Sequence, residues 1–104
     1  MAQIIWTEPA LDNLNDIAEY VSVSNLQAAK QLVENVFSQV QRLENFPESG
    51  KVPEEISTLN YREVVVNPCR VFYKVEQDSV YILHVLRQES DLRRFLVSAG
   101  VTRR

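Results

Sequence analysis

The sequence predicts an α+β fold in which a helical hairpin packs on an antiparallel or mixed sheet of about four strands. The element order is β-α-α-β-β-β, with an optional terminal α. Three observations predict it. Residues 8–46 carry apolar side chains at helical spacing, in two blocks joined by a short polar link. Residues 59–87 hold three β-rich runs separated by two turn signals. The run Gln3-Ile-Ile-Trp-Thr7, ahead of the helices, is itself β-prone. Neither helix is apolar all round, so each must bury its stripe against something else.

Thr7 offers an N-cap oxygen, and Glu8-Pro9 suits a first helical turn. Leu11, Leu14, Ile17, Ala18 and Val21 follow at helical spacing, predicting a first helix over about 8–22. Ser24-Asn25-Leu26-Gln27 has capping-box spacing and restarts the chain as a second helix. Its stripe runs through Ala28, Ala29, Leu32, Val33, Val36, Phe37, Val40 and Leu43, and Phe46-Pro47 closes it. The short link makes the pair an antiparallel αα-hairpin. Residues 47–53 read as a loop from their proline and glycine. Strands follow at about Leu59–Val66, Arg70–Val75 and Val80–Arg87, with Asn67-Pro68 and Gln77-Asp78 as turns. From about residue 90, Leu92, Phe95 and Leu96 predict a short helix capped by Ser90, and Gly100 with Thr102–Arg104 a fraying tail. Leu14, Ile17, Leu32, Val36, Phe37, Val40, Val64 and Ile82 form the expected core.

At 104 residues the chain has the length of one domain, 1–104, with a modest core of its own. No apolar run approaches the roughly 18–20 residues of a membrane span, and the first residues lack a basic n-region. The single cysteine, Cys69, has no internal partner, which fits a cytoplasmic location. Net charge is −3, unevenly spread. Residues 1–56 hold three bases against nine acids, whereas residues 57–104 hold eight bases against five acids. A uniformly acidic protein binds nucleic acid poorly, but a basic face can still take an acidic partner.

The candidate binding residues are Arg62, Arg70 and Arg87 at strand ends, with the Arg93-Arg94 pair after them. A guanidinium clamps phosphate or carboxylate through paired donors. The same residues also read as solvated or ion-paired surface charge, the commoner role of strand arginines. In a meander Arg62 falls at one edge, with Arg87 alongside its neighbours if register permits, and Arg70 at the opposite edge. His84 alternates with Ile82 and Leu86 and so shares their face. With one histidine and one unactivated thiol, the sequence predicts neither a metal site nor a cofactor. Cys69 reads as structural, and the adjacent Glu54-Glu55 as solvated charge diverging in an extended loop.

Several features carry a resemblance. They are Trp6-Thr-Glu-Pro-Ala-Leu-Asp-Asn-Leu-Asn-Asp-Ile-Ala-Glu-Tyr20, the Phe46-Pro47…Gly50 break, Tyr61-Arg62-Glu63, Arg70-Val-Phe-Tyr73, and Val80-Tyr-Ile-Leu-His-Val-Leu-Arg87 followed by Asp91-Leu92. In this order and spacing, residues 3–95 resemble the RelE/ParE superfamily of type II toxin–antitoxin toxins. The resemblance implies the RelE/ParE-like fold, a role in plasmid stabilisation, and a cognate antitoxin whose disordered segment folds onto the toxin. RelE-like members cleave mRNA on the ribosome without metal, using sheet arginines and lysines with a tyrosine, or a histidine and a tyrosine, near the C-terminus. ParE-like members poison DNA gyrase. Here Glu54-Glu55 stand where the nucleases tend to be lysine-rich, and no tyrosine follows Arg87. The expectation is therefore a ParE-like gyrase inhibitor, a binding protein with no catalytic residues and no sequence-specific nucleic-acid contact. The alternative is a RelE-like endoribonuclease using Arg62, Arg70, His84 and Arg87. A second alternative is a non-toxic member that serves as an antitoxin-bound partner in repressing its own operon.

Overall fold

The computed structural model of the protein describes residues 1–55 and 58–98. Its elements are β1 (Gln3–Trp6), α1 (Glu8–Ser24), α2 (Leu26–Gln41), a 3-10 turn at Arg42–Glu44, β2 (Arg62–Val66), β3 (Cys69–Glu76), β4 (Ser79–Arg87) and α3 (Leu92–Ser98). The expected tail from Gly100 lies outside the described residues.

Local chemistry sets the helix ends. The Thr7 hydroxyl accepts from Ala10 N–H and donates to the Ile82 carbonyl at 2.6 Å, so one side chain caps α1 and ties it to β4. Asn25, rather than Ser24, caps α2: its Oδ1 accepts from Ala28 N–H at 3.0 Å. Ser24 instead completes α1, because the Asn25 N–H still bonds the Val21 carbonyl. The second helix tightens into the 3-10 turn at Arg42 rather than running to Phe46, so that Leu43 can turn into the core. At α3 the cap is Asp91, not Ser90; its carboxylate accepts from the backbone of Arg93 and Arg94.

The sheet is mixed, in the order β1-β4-β3-β2. β1 pairs parallel with β4, while the other two pairings are antiparallel. β2 begins at Arg62 rather than Leu59, because Leu59 and Tyr61 leave the ladder and pack beneath α3. The hairpin covers one face. Ala10, Leu14, Leu32, Val36, Val40 and Leu43 meet Val71, Tyr73, Val80, Ile82 and Val85 there. Burying each large aliphatic stabilises by roughly 1.5–3 kcal/mol. Ile17 and Val64 are only half-buried. Phe37 departs from the expected core: it is 41% exposed and lies against Trp6, ring centroids 4.7 Å apart. It falls one position, about 100° of helical rotation, beyond Val36 and so sits on the flank of the stripe.

The outer face carries a second cluster, Phe72, Leu86, Leu92 and Leu96. A bulge separates the faces of β4. Phe72 is opposite His84, yet Tyr73 is opposite Ile82, so Leu83 is an extra residue on that strand. Ile82 therefore points into the hairpin core while His84 and Leu86 point outward. The simple alternation expected of these three fails at that residue.

Candidate functional site

Strand parity and register place the cations. Val64 and Val66 belong to the hairpin side, which puts Arg62 on that side too. Arg70 shares the outer face with Phe72, and Arg87, one residue past Leu86, returns to the hairpin side. Cys69 is opposite Arg87 and Arg70 opposite Leu86, while Arg62 is opposite Tyr73. Arg87 therefore lies at the Arg70 end of the meander, not beside Arg62, because an odd number of reversals returns β4 to the end where β3 starts. Arg62 is three residues along β2 from the position facing Arg70, roughly 10 Å away. The three arginines do not converge.

Each has its own local duty. Arg70 is held by two carboxylates. Its guanidinium donates to Glu55 at 2.6 and 2.8 Å and to Glu63 at 2.7 and 3.3 Å. It also reaches the Ser90 carbonyl and stacks over Phe72, 4.8 Å from the ring centroid. Glu63 is only 3% exposed. The Arg70 hydrogen bonds hold the Glu55 carboxyl down at about 2 and push the guanidinium's own pKa higher still. Glu55 is thus an anchor rather than solvated loop charge. The loop bends back over the sheet and brings it onto Arg70, which an extended reading of Glu54-Glu55 does not anticipate.

Arg62 donates to the Glu48 and Gly50 carbonyls at 3.2 and 2.8 Å. The same loop is fixed by Gly50 N–H donating to the Tyr73 hydroxyl at 2.8 Å, and by Lys51 exchanging both backbone bonds with Glu63. Lys51 so lends one bridge to the outer edge of β2. Beside it a groove of about 420 Å³ runs between the end of α2 and β2, with Arg42, Leu43, Phe46, Lys51, Val64 and Val65 in its walls. Phe46 and Val65 are exposed there, at 61% and 45%.

Arg87 pairs with Glu89 at 2.9 Å and lies over the Tyr20 ring, 4.9 Å from its centroid. Arg93 donates to the Glu55 carbonyl, tying α3 to the loop. The Arg94 residue is exposed on α3. His84 stands on the outer face between Tyr61 and Phe95, ring centroids 6.2 and 5.1 Å away. Its Nδ1 is buried and without a hydrogen-bond partner, the one such side-chain atom among the described residues. Burial lowers the His84 pKa and raises that of the fully buried Cys69 thiol. That thiol is inert packing, as read from the sequence.

Sequence reasoning missed Glu63, Glu55, Tyr61 and Phe95. A signal existed for Glu63: across a tight turn at 67–68, it lies on the same face as Arg70 and one pair removed. No comparable signal marks Glu55.

Comparison with known proteins fixes the family. The family model for the ParE toxin of the type II toxin-antitoxin system, parDE, matches residues 4–92. The chain belongs to the ParE toxin family. It is 31% identical over 86 residues to Toxin RelE2 of Caulobacter vibrioides (strain ATCC 19089 / CIP 103742 / CB 15), covering 82% of this chain and 93% of that one. Among solved structures, the chromosomal ParDE TA system from P. aeruginosa matches with a TM-score of 0.72 at 23% identity, over 86% of this chain and 98% of the other. The isolated E. coli RelE toxin matches with a TM-score of 0.57 at 12% identity, over 98% and 100%. These two likenesses establish the RelE/ParE fold. This ParE-family chain is thus a type II toxin with a cognate antitoxin as partner. Among the described residues, no helix is long and apolar enough to cross a membrane.

Proposed function

We propose that this ParE-family toxin is a binding protein that captures DNA gyrase, and that its antitoxin neutralises it by folding into the groove between hairpin and sheet. The observation that carries the first half is the dispersal of its cations. Cleaving RNA without metal needs a base for the 2′-hydroxyl and cations around one phosphate. Here Arg70 is committed to Glu55 and Glu63, Arg62 to loop carbonyls, and Arg87 lies on the other face from Arg70. His84 is wedged between Tyr61 and Phe95, its Nδ1 out of reach of solvent. Such a surface suits capture of a macromolecule better than a phosphoryl-transfer step.

The groove beside β2 supports the antitoxin half. It combines apolar walls at Leu43, Phe46, Val64 and Val65 with the cations Arg42 and Lys51. A segment carrying apolar anchors and a few acids fits that chemistry. Apolar burial supplies most of the affinity and rim charges set orientation and association rate. Raising salt from low to high is expected to weaken the complex about tenfold or less; a loss of several orders of magnitude would refute the apolar groove.

Expression of the toxin without its antitoxin decides the target. The expected result is accumulation of gyrase-linked DNA breaks while translated messages stay intact. Codon-linked cuts in mRNA within minutes, abolished by Arg62→Ala or His84→Ala, would move the chain to the nuclease reading. Neither lesion would make it a non-toxic partner in operon repression.

A further inference from the structure

We propose that α3 is a pH-gated cover, docked on the outer face of the sheet while His84 is neutral and released when that ring takes a proton. The inference concerns how the toxin's own surface is presented and stands apart from the choice of target.

α3 has seven residues, far too few to be helical on its own in water. It persists because Leu92, Phe95 and Leu96 pack on Phe72, Leu86, Leu59 and Tyr61. His84 lies in this contact, edge-on to Phe95. A neutral imidazole needs one donor and one acceptor satisfied, whereas the imidazolium donates from both nitrogens. Its Nδ1 has no acceptor among the described residues. Adding a proton there places a charge and an unmet donor in a site of aromatic and aliphatic side chains.

The charged neighbours give the cation no help. On β3, Arg70 and Lys74 flank Phe72, the residue opposite His84, on the same face. On β2, Glu63 is held by Arg70, as is Glu55 of the loop. On α3, Asp91 caps the backbone of Arg93 and Arg94, and both side chains add positive charge. Tyr61 contributes a ring, and its own hydroxyl is pushed toward the neutral form by burial. Across the sheet α1 turns Asp12 and Asp16 to solvent, and β1 carries no charged residue.

The sign follows from linkage. Burial favours the neutral ring in the docked state, so the His84 pKa is depressed there and ordinary once α3 has left. Docking is at full strength above about pH 6.5 and weakens as pH falls below it. The loss is up to about tenfold per pH unit, until the depressed pKa has been passed. Release uncovers Phe72 and Leu86 and breaks the contacts of Arg93 with Glu55 and of Arg70 with Ser90. The Glu55 carboxylate cannot produce the same step, because it titrates at about 2.

Amide hydrogen exchange on the whole chain, followed by NMR from pH 8 to pH 5, tests the cover. After correction for intrinsic rates, protection at Leu92–Leu96 is expected to fall progressively as pH drops below about 6.5, by up to about tenfold per pH unit, while Val71–Tyr73 stay unchanged. His84→Phe, which keeps the ring shape and removes the proton site, is expected to abolish the step. A second readout guards against a misfolded variant. The His84 ring signal should titrate below its ordinary value in the native chain, and return toward it in Leu92→Ser, which undocks α3. Flat protection across the titration, an undiminished step in His84→Phe, or the same His84 midpoint in native and Leu92→Ser protein would each overturn the proposal.

Discussion

Removing the Arg70 side chain tests whether the outer face is held by one buried charge network. Arg70→Ala leaves Glu63, 3% exposed, without its counter-ion. Glu63 receives two guanidinium bonds at 2.7 and 3.3 Å and has no other side-chain donor among the described residues. Stranding a buried carboxylate costs about 3–5 kcal/mol. A domain of this size has roughly 5–15 kcal/mol in total, so the variant keeps little margin. With an m-value of about 2 kcal/mol/M, the urea midpoint should drop by roughly 2 M. Glu55→Gln is milder, about 1 kcal/mol, since Glu55 sits nearer solvent at 23% exposed and keeps a polar head. The decisive variant is the double Arg70→Met, Glu63→Leu, which removes the charge together with its partner and fills the space. It should recover most of the loss relative to Arg70→Met alone. A cost under about 1 kcal/mol for Arg70→Ala, or no recovery in the double, would mean that Glu63 is hydrated and that the network does not hold the loop.

Four further outcomes are open to direct measurement. Gly50→Ala should destabilise by about 1–3 kcal/mol or more in urea unfolding, since its Cβ would stand 2.5 Å from the Tyr73 hydroxyl and 2.7 Å from the Glu63 carbonyl. Tyr73→Phe should cost about 1–3 kcal/mol by leaving the buried Gly50 N–H without an acceptor; full stability would disprove that bond. Leu32→Ala should cost about 2–5 kcal/mol, whereas Phe37→Ala should cost clearly less, because Phe37 is partly in water already. With Glu55 held down to about 2, its contribution is complete above about pH 4.5 and disappears as pH falls from there toward 2. Glu55→Gln should therefore flatten that part of the acid-unfolding curve and leave the curve above pH 5 unchanged in shape.

The helices and the meander were legible because each announces its period. Leu32, Val36 and Val40 recur on one helical face, and Asn67-Pro68 and Gln77-Asp78 interrupt the strands where the chain reverses; Gln77 takes the left-handed φ of 55° that the second turn requires. Parity was legible only up to Leu83. One extra residue in β4 reverses inside and outside, and nothing in Ile82-Leu83-His84 advertises it. The candidate arginines stand out in the sequence, but their partners do not. Glu55 meets Arg70 from 15 residues away in sequence, and the Gly50 carbonyl meets Arg62 from 12 away. Contacts made by irregular segments have no repeating signature, so burial and register must be known before they can be seen.

The parallel pairing of β1 with β4 also fixes a timetable. Thr7 bonds the Ile82 carbonyl 75 residues later, and Gln3–Trp6 find their ladder only in Ser79–Ile82. At a synthesis rate of about 5–20 residues per second, the first strand waits roughly 4–15 s for its partner to be made. During that time the apolar stripe of α1 has nothing of β4 to cover it, because the strand it packs on is still to come. The sheet is completed only when β4 pairs with β1, a contact spanning nearly the whole chain, so unfinished chains on the ribosome lack the folded toxin surface.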